Sequence, residues 1–179
     1  MAEFLWIFWS FSLLGWVLER LFAAVTRSPR RRRRCLLLLP LCPVYGLGMA
    51  AVLALPPSLR SGWPLYLWGG LTATSVEYIY HWWGETFLGV SFWDYTGVFG
   101  NFRGRVCLPF SLAWGLLLFP AVYLVTPPVV ALADRVPIGV TWWLLLTFTA
   151  DAVCSLRFLA VTHDLEALRA VIWPVSADR

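Results

Sequence analysis

The sequence predicts an all-α, polytopic integral membrane protein of about five transmembrane helices. Of its 179 residues, 60% are hydrophobic and 13% are charged, and the mean hydropathy is +0.71. Soluble domains are close to half apolar and a quarter charged. A small soluble domain cannot bury this much apolar surface, so lipid must cover the remainder. The aromatic content of 17% agrees, because aromatic side chains concentrate at membrane–water boundaries.

Five apolar segments are long enough to cross a bilayer, which takes about 20 residues in a helix. They lie near residues 4–25, 36–55, 65–88, 106–126 and 138–160. We expect residues 1–160 to form one transmembrane bundle and residues 161–179 a short tail. Leu165, Leu168 and Ile172 have helical spacing in that tail and predict a short interfacial helix.

The arginines predict the orientation, because cytoplasmic loops are enriched in basic residues. With the Arg27–Arg34 loop in the cytoplasm, five spans place the Gly89–Arg105 loop and the C-terminus there too. The N-terminus is then outside, and the arginines divide into twelve cytoplasmic and two external residues, the latter being Arg60 and Arg135. A third span that turned back within the membrane at 76–88 would reverse everything after it. A bacterial inner membrane is the expected location.

The run Arg30–Arg34 lies beside a span and is interpreted as a topology signal that attracts anionic lipid headgroups, not nucleic acid. Cys35, Cys42, Cys107 and Cys154 show neither zinc-ligand nor CxxC spacing. We expect no disulfide, no metal and no cofactor.

Carboxylates inside spans are costly and normally face a bundle interior or a cavity. Glu77 and Asp151 fall near mid-bilayer, Glu19 in the inner half of the first span, and Glu85 near the boundary of the third. Glu77, His81 and Glu85 follow i, i+4, i+8 spacing, so they share one helix face. That stripe could form a structural polar network, line a substrate or ion path, or, with less support from its spacing, bind a metal.

The second span contains Pro40, Pro43, Gly46 and Gly48, which predict a broken or kinked helix. Broken helices occur where protein or a water-filled cavity satisfies the freed backbone, and transporters often bind substrate there. A simple kink with close packing at the glycines is equally consistent.

The loop after the third span is rich in polar and aromatic side chains. We expect Arg103 or Arg105 to pair with Asp94, Glu85 or Glu19, since a partly desolvated carboxylate favours a guanidinium partner. The loop either ties the spans together or binds an anionic substrate or a partner. Its candidate residues are Asp94, Tyr95, Asn101, Arg103 and Arg105.

Several short motifs occur in one order between residues 4 and 120. They read Gly15-Trp16-x-x-Glu19, Pro40-x-Cys42-Pro43-x-Tyr45-Gly46-x-Gly48, Glu77-Tyr78, Trp93-Asp94-Tyr95, Asn101-x-x-Gly104-Arg105-x-Cys107-Leu108 and Trp114-Gly115. This series resembles the putative type IV ABC-transporter permease family, which comprises small bacterial membrane proteins, and Asp151 is similar to a position in its last span. One departure is the arginine run before Cys35, where relatives have an Asn-Arg-Gly-Phe-Leu-like entry. The resemblance supplies no substrate and no catalytic residue.

We therefore expect a permease-like subunit that forms an oligomer and contacts a separate ATP-hydrolysing subunit through the 93–105 loop. The chain itself has no phosphate-binding G-x-x-x-x-G-K-[ST] motif and no common hydrolase motif. Two rival hypotheses are a non-transporting scaffold or regulator, and a membrane-embedded enzyme that uses Glu77, His81 and Glu85 as acid–base groups.

Overall fold

A computed structural model describes residues 1–26 and 35–170. The predicted arginine loop, including Arg30–Arg34, and the predicted helical position Ile172 lie outside those residues. Six longer helices, a short 3-10 helix at Pro57–Leu59 and one antiparallel strand pair are described. In the strand pair Asn101 is opposite Cys107 and Phe102 is opposite Val106. In chain order these elements are α1 (Ala2–Thr26), α2 (Pro43–Leu53), α3 (62–88), β1 (Asn101–Phe102), β2 (Val106–Cys107), α4 (Leu108–Ala133), α5 (Ile138–Thr162) and α6 (Leu165–Ala170).

Three helices are long and apolar enough to cross a membrane by length and composition: Ala2–Val25, Leu108–Ala133 and Ile138–Thr162. At about 1.5 Å per residue each exceeds the roughly 30 Å of a hydrocarbon core. In the most apolar windows of α4 and α5 only 11% of residues are buried within the chain. Their outward apolar side chains therefore need lipid or another apolar partner, which supports the prediction of a helical membrane protein.

Helix α4 is longer than predicted and continues through Pro127 and Pro128 to Ala133. A π-helical turn at Ala121–Val125 precedes the prolines, and the Thr126 hydroxyl donates to the Ala121 carbonyl at 2.8 Å. The wider turn accommodates residues that lack a backbone donor. The predicted span 106–126 was therefore too short at its C-terminal end.

Only part of the predicted second span is helical. Helix α2 has 11 residues, about 16 Å, and residues 35–42 preceding it are not helical. Pro43 occupies the first helical turn, where its missing N–H requires no partner. The prediction of a broken or kinked helix is confirmed, and the helical part of the predicted segment 36–55 is Pro43–Leu53.

A disulfide joins Cys35 to Cys42 across the non-helical segment. Our expectation of no disulfide was wrong, because spacing in the sequence does not give the distance between two cysteines in an irregular segment. Seven residues of helix would separate them by about 10 Å, beyond disulfide reach. In the irregular segment their Cα atoms are 5.2 Å apart. Cys107 and Cys154 do not form a disulfide with another described residue.

Helix α3 is continuous from residue 62 to residue 88 and includes π-helical turns at Leu65–Gly69 and Gly84–Leu88. It does not turn back at 76–88. Its polar stripe explains why it is less apolar than the three candidate spans. Glu77 and His81 are both buried, whereas Leu71, Ile79 and Phe87 on the same helix are more than half exposed. The polar face is thus directed inward and an apolar face outward.

Contacts between the helices define two ends of the bundle. One end carries the hairpin of β1 and β2 and is called the hairpin end. There the rings of Phe22 and Phe110 lie 5.8 Å apart, and His163 Nδ1 is 2.6 Å from the Leu88 carbonyl. At the opposite end, the Trp6 indole donates to the Thr141 hydroxyl at 3.1 Å. At the hairpin end, α6 packs Leu165 and Leu168 into an apolar cluster with side chains of α3, α5 and the 89–107 loop.

Glycines permit the closest helix crossings. A Cβ on Gly70 would be 3.2 Å from the Gly115 Cα, where α3 crosses α4. A Cβ on Gly46 would overlap the Phe8 carbonyl oxygen and the Ser12 side chain of α1. Small residues at such crossings allow backbones to approach.

We expect Gly46→Ala to destabilise the protein by about 1–2 kcal/mol, because the new methyl group meets backbone that cannot move freely. The matched control is Gly48→Ala on the same helix, where a Cβ meets nothing within 4 Å. Thermal unfolding in detergent should show a lower midpoint for Gly46→Ala alone. Equal midpoints for the two variants would contradict the crossing geometry.

Candidate functional site

Glu77 is enclosed between α3, α4 and the loop that follows α3. The side chain is 1% exposed. Its Oε2 atom accepts a hydrogen bond from the Trp114 indole at 2.8 Å, and its Oε1 accepts one from the Tyr95 hydroxyl at 3.3 Å. An indole N–H can only donate, so the carboxylate is the acceptor in that bond.

Glu19 reaches the same region from α1. The Tyr45 hydroxyl of α2 donates to Glu19 Oε1, and the Tyr45 ring meets the Trp114 ring edge to face at 5.3 Å. Glu19 and Glu77 are thereby connected through Tyr45 and Trp114. Sequence reasoning selected both carboxylates but not these two aromatic residues, although both belong to the motifs that carry the family resemblance.

A cavity of about 340 Å³ lies between α1, α2, α3 and α4. Aliphatic side chains form most of its wall, and Tyr45, Glu77 and Trp114 contribute its polar groups. A second cavity of about 190 Å³ is lined by Glu19 and Tyr95 among others. The two cavities share Leu18, Tyr45, Trp114 and Leu117.

The other two members of the helical stripe face a different set of partners. His81 Nε2 is 3.1 Å from Glu85 Oε1, and the Arg105 Nε donates to Glu85 Oε2 at 2.7 Å. Arg105 also donates from Nη1 to the Tyr78 hydroxyl at 2.8 Å. The expected pairing of a loop arginine with an acidic residue is found between Arg105 and Glu85. The hydrogen bond to Glu85 raises the pKa of Arg105 above its ordinary value.

The 89–107 loop packs against α3 at this network. The Trp93 indole donates to the Arg105 carbonyl at 2.7 Å, and its ring lies 4.7 Å from the His81 ring. The Tyr95 backbone N–H donates to the Gly104 carbonyl at 2.8 Å. These bonds hold Tyr95 in position to reach Glu77.

The remaining loop candidates have local roles. Asp94 accepts the Thr96 backbone N–H at 2.8 Å, and hydrogen bonds from the Thr96 side chain and backbone hold the pKa of Asp94 below its usual value. Asn101 accepts from the Gly104 N–H at 3.3 Å and donates to the Val98 carbonyl at 3.0 Å. Arg103 is exposed, has a φ of 54° and lies over the Phe102 ring.

Asp151 binds the non-helical residues 35–42 that precede α2, which we call the broken segment. Its Oδ1 and Oδ2 accept the backbone N–H groups of Leu38 and Leu39 at 3.1 and 3.0 Å, and the Ser155 hydroxyl donates to Oδ1 at 3.0 Å. The carboxylate thus replaces the helical partners that the non-helical chain lacks. Asp151 lines neither of the two cavities.

Over the two described parts of the chain, no group of three or more His, Cys, Asp or Glu residues is placed to hold a metal ion. The residues around Glu77 supply carboxylates, aromatic hydrogen-bond donors and apolar walls. Glu77 belongs to the wall of the larger cavity, whereas His81 and Glu85 line neither cavity.

The outward apolar helices, the inward carboxylates and the broken helix held by Asp151 together define an α-helical membrane protein with a polar interior. Comparison with protein families identifies it more closely. A family model described as "Putative ABC-transporter type IV" matches residues 6–156, so the chain belongs to this family. This match confirms the resemblance derived from the motifs. No curated protein and no solved structure matches the chain.

Proposed function

We propose that this protein is the membrane subunit of an ABC-type transporter in a bacterial inner membrane, and that its larger cavity holds the substrate. The observation that carries the proposal is the 340 Å³ cavity, which has Glu77 in its wall and lies beside a broken helix. Ligand pockets commonly combine apolar walls with a few fixed polar groups. Discontinuous helices often border substrate sites in transporters. Family membership supports an ABC-transporter role.

In this proposal the hairpin end faces the cytoplasm, where ATP is available to the partner. The argument for orientation is the predicted arginine bias. Phe99 is 79% exposed and Phe102 is 57% exposed, and exposed Arg103 lies between the two strands. Interfaces are enriched in aromatic residues and arginine, so this tip is suited to bind a separate ATP-hydrolysing subunit.

A homo-oligomer that binds anionic lipid is also part of the proposal. The outer faces of α4 and α5 leave large side chains uncovered, including Leu116, Trp142 and Trp143, each more than half exposed. A second copy could cover part of this surface and enlarge the path, and the predicted lipid contact is the run Arg30–Arg34.

The test is purification of the tagged full-length protein from its native host in mild detergent, with mass spectrometry of the proteins recovered. We expect a stoichiometric partner that carries a P-loop. Phe99→Ser should lower recovery of the partner without changing the yield of this protein, because the substitution removes an exposed aromatic contact at the tip. Trp63→Ser is the matched control, since Trp63 is 67% exposed on α3, far from the hairpin.

Absence of an ATPase in every preparation would contradict the transporter proposal and favour the scaffold or regulator hypothesis. That hypothesis has some support from the structure, because Asp151, Glu85 and Arg105 all bind groups of the protein itself. The enzyme hypothesis has less support. Its three proposed acid–base groups do not line one cavity, since only Glu77 borders the larger one.

A further inference from the structure

We infer that the larger cavity holds an acyl chain of a membrane lipid, which enters from the bilayer through an opening between α1 and α4. The further statement that this lipid is the transported substrate rests on the proposed function. Binding of the chain follows from the depth, the opening and the wall of the cavity.

The cavity lies at the depth of acyl chains and not of headgroups. In its wall, Leu14 lies midway between the two ends of α1, and Leu117 and Ala121 lie in the middle third of α4. Both helices are long enough to cross a membrane, so their middle residues lie within the hydrocarbon core. A ligand that reaches this depth from the bilayer must be apolar where it enters.

The opening lies between two places where α1 and α4 meet. Helix α1 contacts the Thr126–Ala133 end of α4, and at the hairpin end the Phe22 ring lies 5.8 Å from the Phe110 ring. Between these contacts the cavity is lined by residues of both helices. Leu14 is 45% exposed and Leu117 is 43% exposed, so both belong to the outer apolar surface as well as to the cavity wall. The cavity is therefore continuous with the surface that faces lipid.

The wall suits a hydrocarbon chain. Aliphatic side chains of four helices form most of it, and its volume is about 340 Å³. Water within such walls finds few hydrogen-bond partners, so a hydrocarbon displaces it at little cost. An empty cavity would leave the wall without dispersion contacts, and an acyl chain restores them.

The polar groups near the cavity do not oppose a chain, because they bond to the protein itself. The two carboxylate oxygens of Glu77 accept hydrogen bonds from Trp114 and Tyr95. The Tyr45 hydroxyl donates to Glu19. These groups therefore need no hydrogen-bond partner from a ligand, which favours a hydrocarbon chain over a polar ligand.

Gly48 marks space that the chain would fill. It is buried and lines the cavity, yet a Cβ on it would meet nothing within 4 Å. On the same helix a Cβ on Gly46 would overlap the backbone of α1. Protein interiors are close-packed, so open space at a buried position indicates a site that another molecule fills.

The test is photo-cross-linking of the purified full-length protein in phosphatidylcholine nanodiscs. The probe is a phosphatidylcholine with a diazirine in the middle of one acyl chain, and mass spectrometry locates the cross-links by residue. We expect cross-links at the buried cavity residues Val44 and Met49, in addition to the outer residues Trp142 and Trp143 of α5. A matched lipid with the diazirine in its headgroup should label neither Val44 nor Met49.

Two results with these probes would overturn the inference. One is cross-linking of α5 by the chain probe without any at Val44 or Met49, which would mean that a second copy, another segment of the chain or nothing fills the cavity. The other is equal labelling of Val44 and Met49 by the chain probe and the headgroup probe.

A pair of glycine variants connects the cross-links to the cavity. Gly48→Leu places a side chain in the open space and should lower cross-linking of Met49 by about tenfold or more, because two groups cannot occupy one space. Gly139→Leu should leave it unchanged, since Gly139 is helical, lies outside the cavity lining and also has nothing within 4 Å of a new Cβ. Unchanged cross-linking of Met49 in Gly48→Leu would place the chain elsewhere and overturn the inference.

If Gly48→Leu fails to fold, the comparison of chain and headgroup probes on the unsubstituted protein still decides the outcome. The results also separate the two proposals. Recovery of an ATPase without cross-links at Val44 and Met49 removes the lipid and leaves the transporter. Cross-links at these residues without any recovered ATPase leave the lipid site and remove the transporter.

Discussion

Asp151→Ala is expected to destabilise the protein by about 3 kcal/mol or more, the largest effect among the substitutions considered. The change removes the acceptor for the part-buried N–H groups of Leu38 and Leu39. A hydrogen bond to a charged group contributes about 1.5–3 kcal/mol, and a buried donor left unsatisfied adds its desolvation cost. Asp151→Asn should lose less, because its amide oxygen can still accept one of the two N–H groups.

Asp164→Ala is a matched control, since Asp164 also accepts two backbone N–H groups, those of Glu166 and Ala167 at 2.8 and 3.1 Å. Asp164 is exposed at the start of α6, so water can replace it, and the expected cost is about 1 kcal/mol. Thermal unfolding in detergent would rank the three variants. A cost for Asp151→Ala no larger than for Asp164→Ala would show that the broken segment does not depend on this carboxylate.

Arg105→Met is expected to lower the midpoint of thermal unfolding and to release the 89–107 loop from α3. Arg105 donates to both Glu85 and Tyr78, and its removal leaves a half-buried carboxylate with less compensation. The loss is smaller than for a fully buried pair, because 36% of the Glu85 side chain is exposed and water screens the interaction. Arg105→Lys should recover only part of the loss, because one ammonium group cannot reproduce the guanidinium geometry.

Hydrogen exchange of the loop amides, together with thermal unfolding, measures this effect. The control is Arg103→Met, which alters an exposed residue two positions away and should change stability by less than about 0.5 kcal/mol. If exchange of the Tyr95 amide were equally fast in the two variants, Arg105 would not be the residue that holds the loop.

The membrane class and most helix positions were predictable, because composition and the length of apolar runs depend on whether lipid or water surrounds the chain. The polar stripe on α3 was predictable from spacing, since residues four apart share a face. Spacing does not reveal which neighbours those residues meet. Glu85 is bound by Arg105 of the loop, whereas Glu77 is bound by Trp114 of the next helix, so residues of one stripe belong to two different sites.

The segment before α2 shows a second limit. Pro40 and Pro43 indicated that the helix breaks, but nothing local indicates which structure replaces it. That structure depends on Asp151, which is 113 residues away from Leu38. The disulfide was missed for the same reason, because the separation of Cys35 and Cys42 in space follows from the irregular path of the chain.

The hydrogen bonds between Asp151 and residues 38–39 also set an order of events during biosynthesis. A ribosome adds roughly 5–20 residues per second, so about 6–23 s pass between synthesis of Leu38 and synthesis of its partner 113 residues later. During that interval the peptide groups of Leu38 and Leu39 must be solvated by water or by the insertion machinery, because lipid cannot bond to them. The second hydrophobic segment therefore reaches its final conformation only after the last long helix has entered the bilayer. Truncated chains that end before α5 lack this partner and carry unsatisfied polar groups that quality-control proteases could recognise.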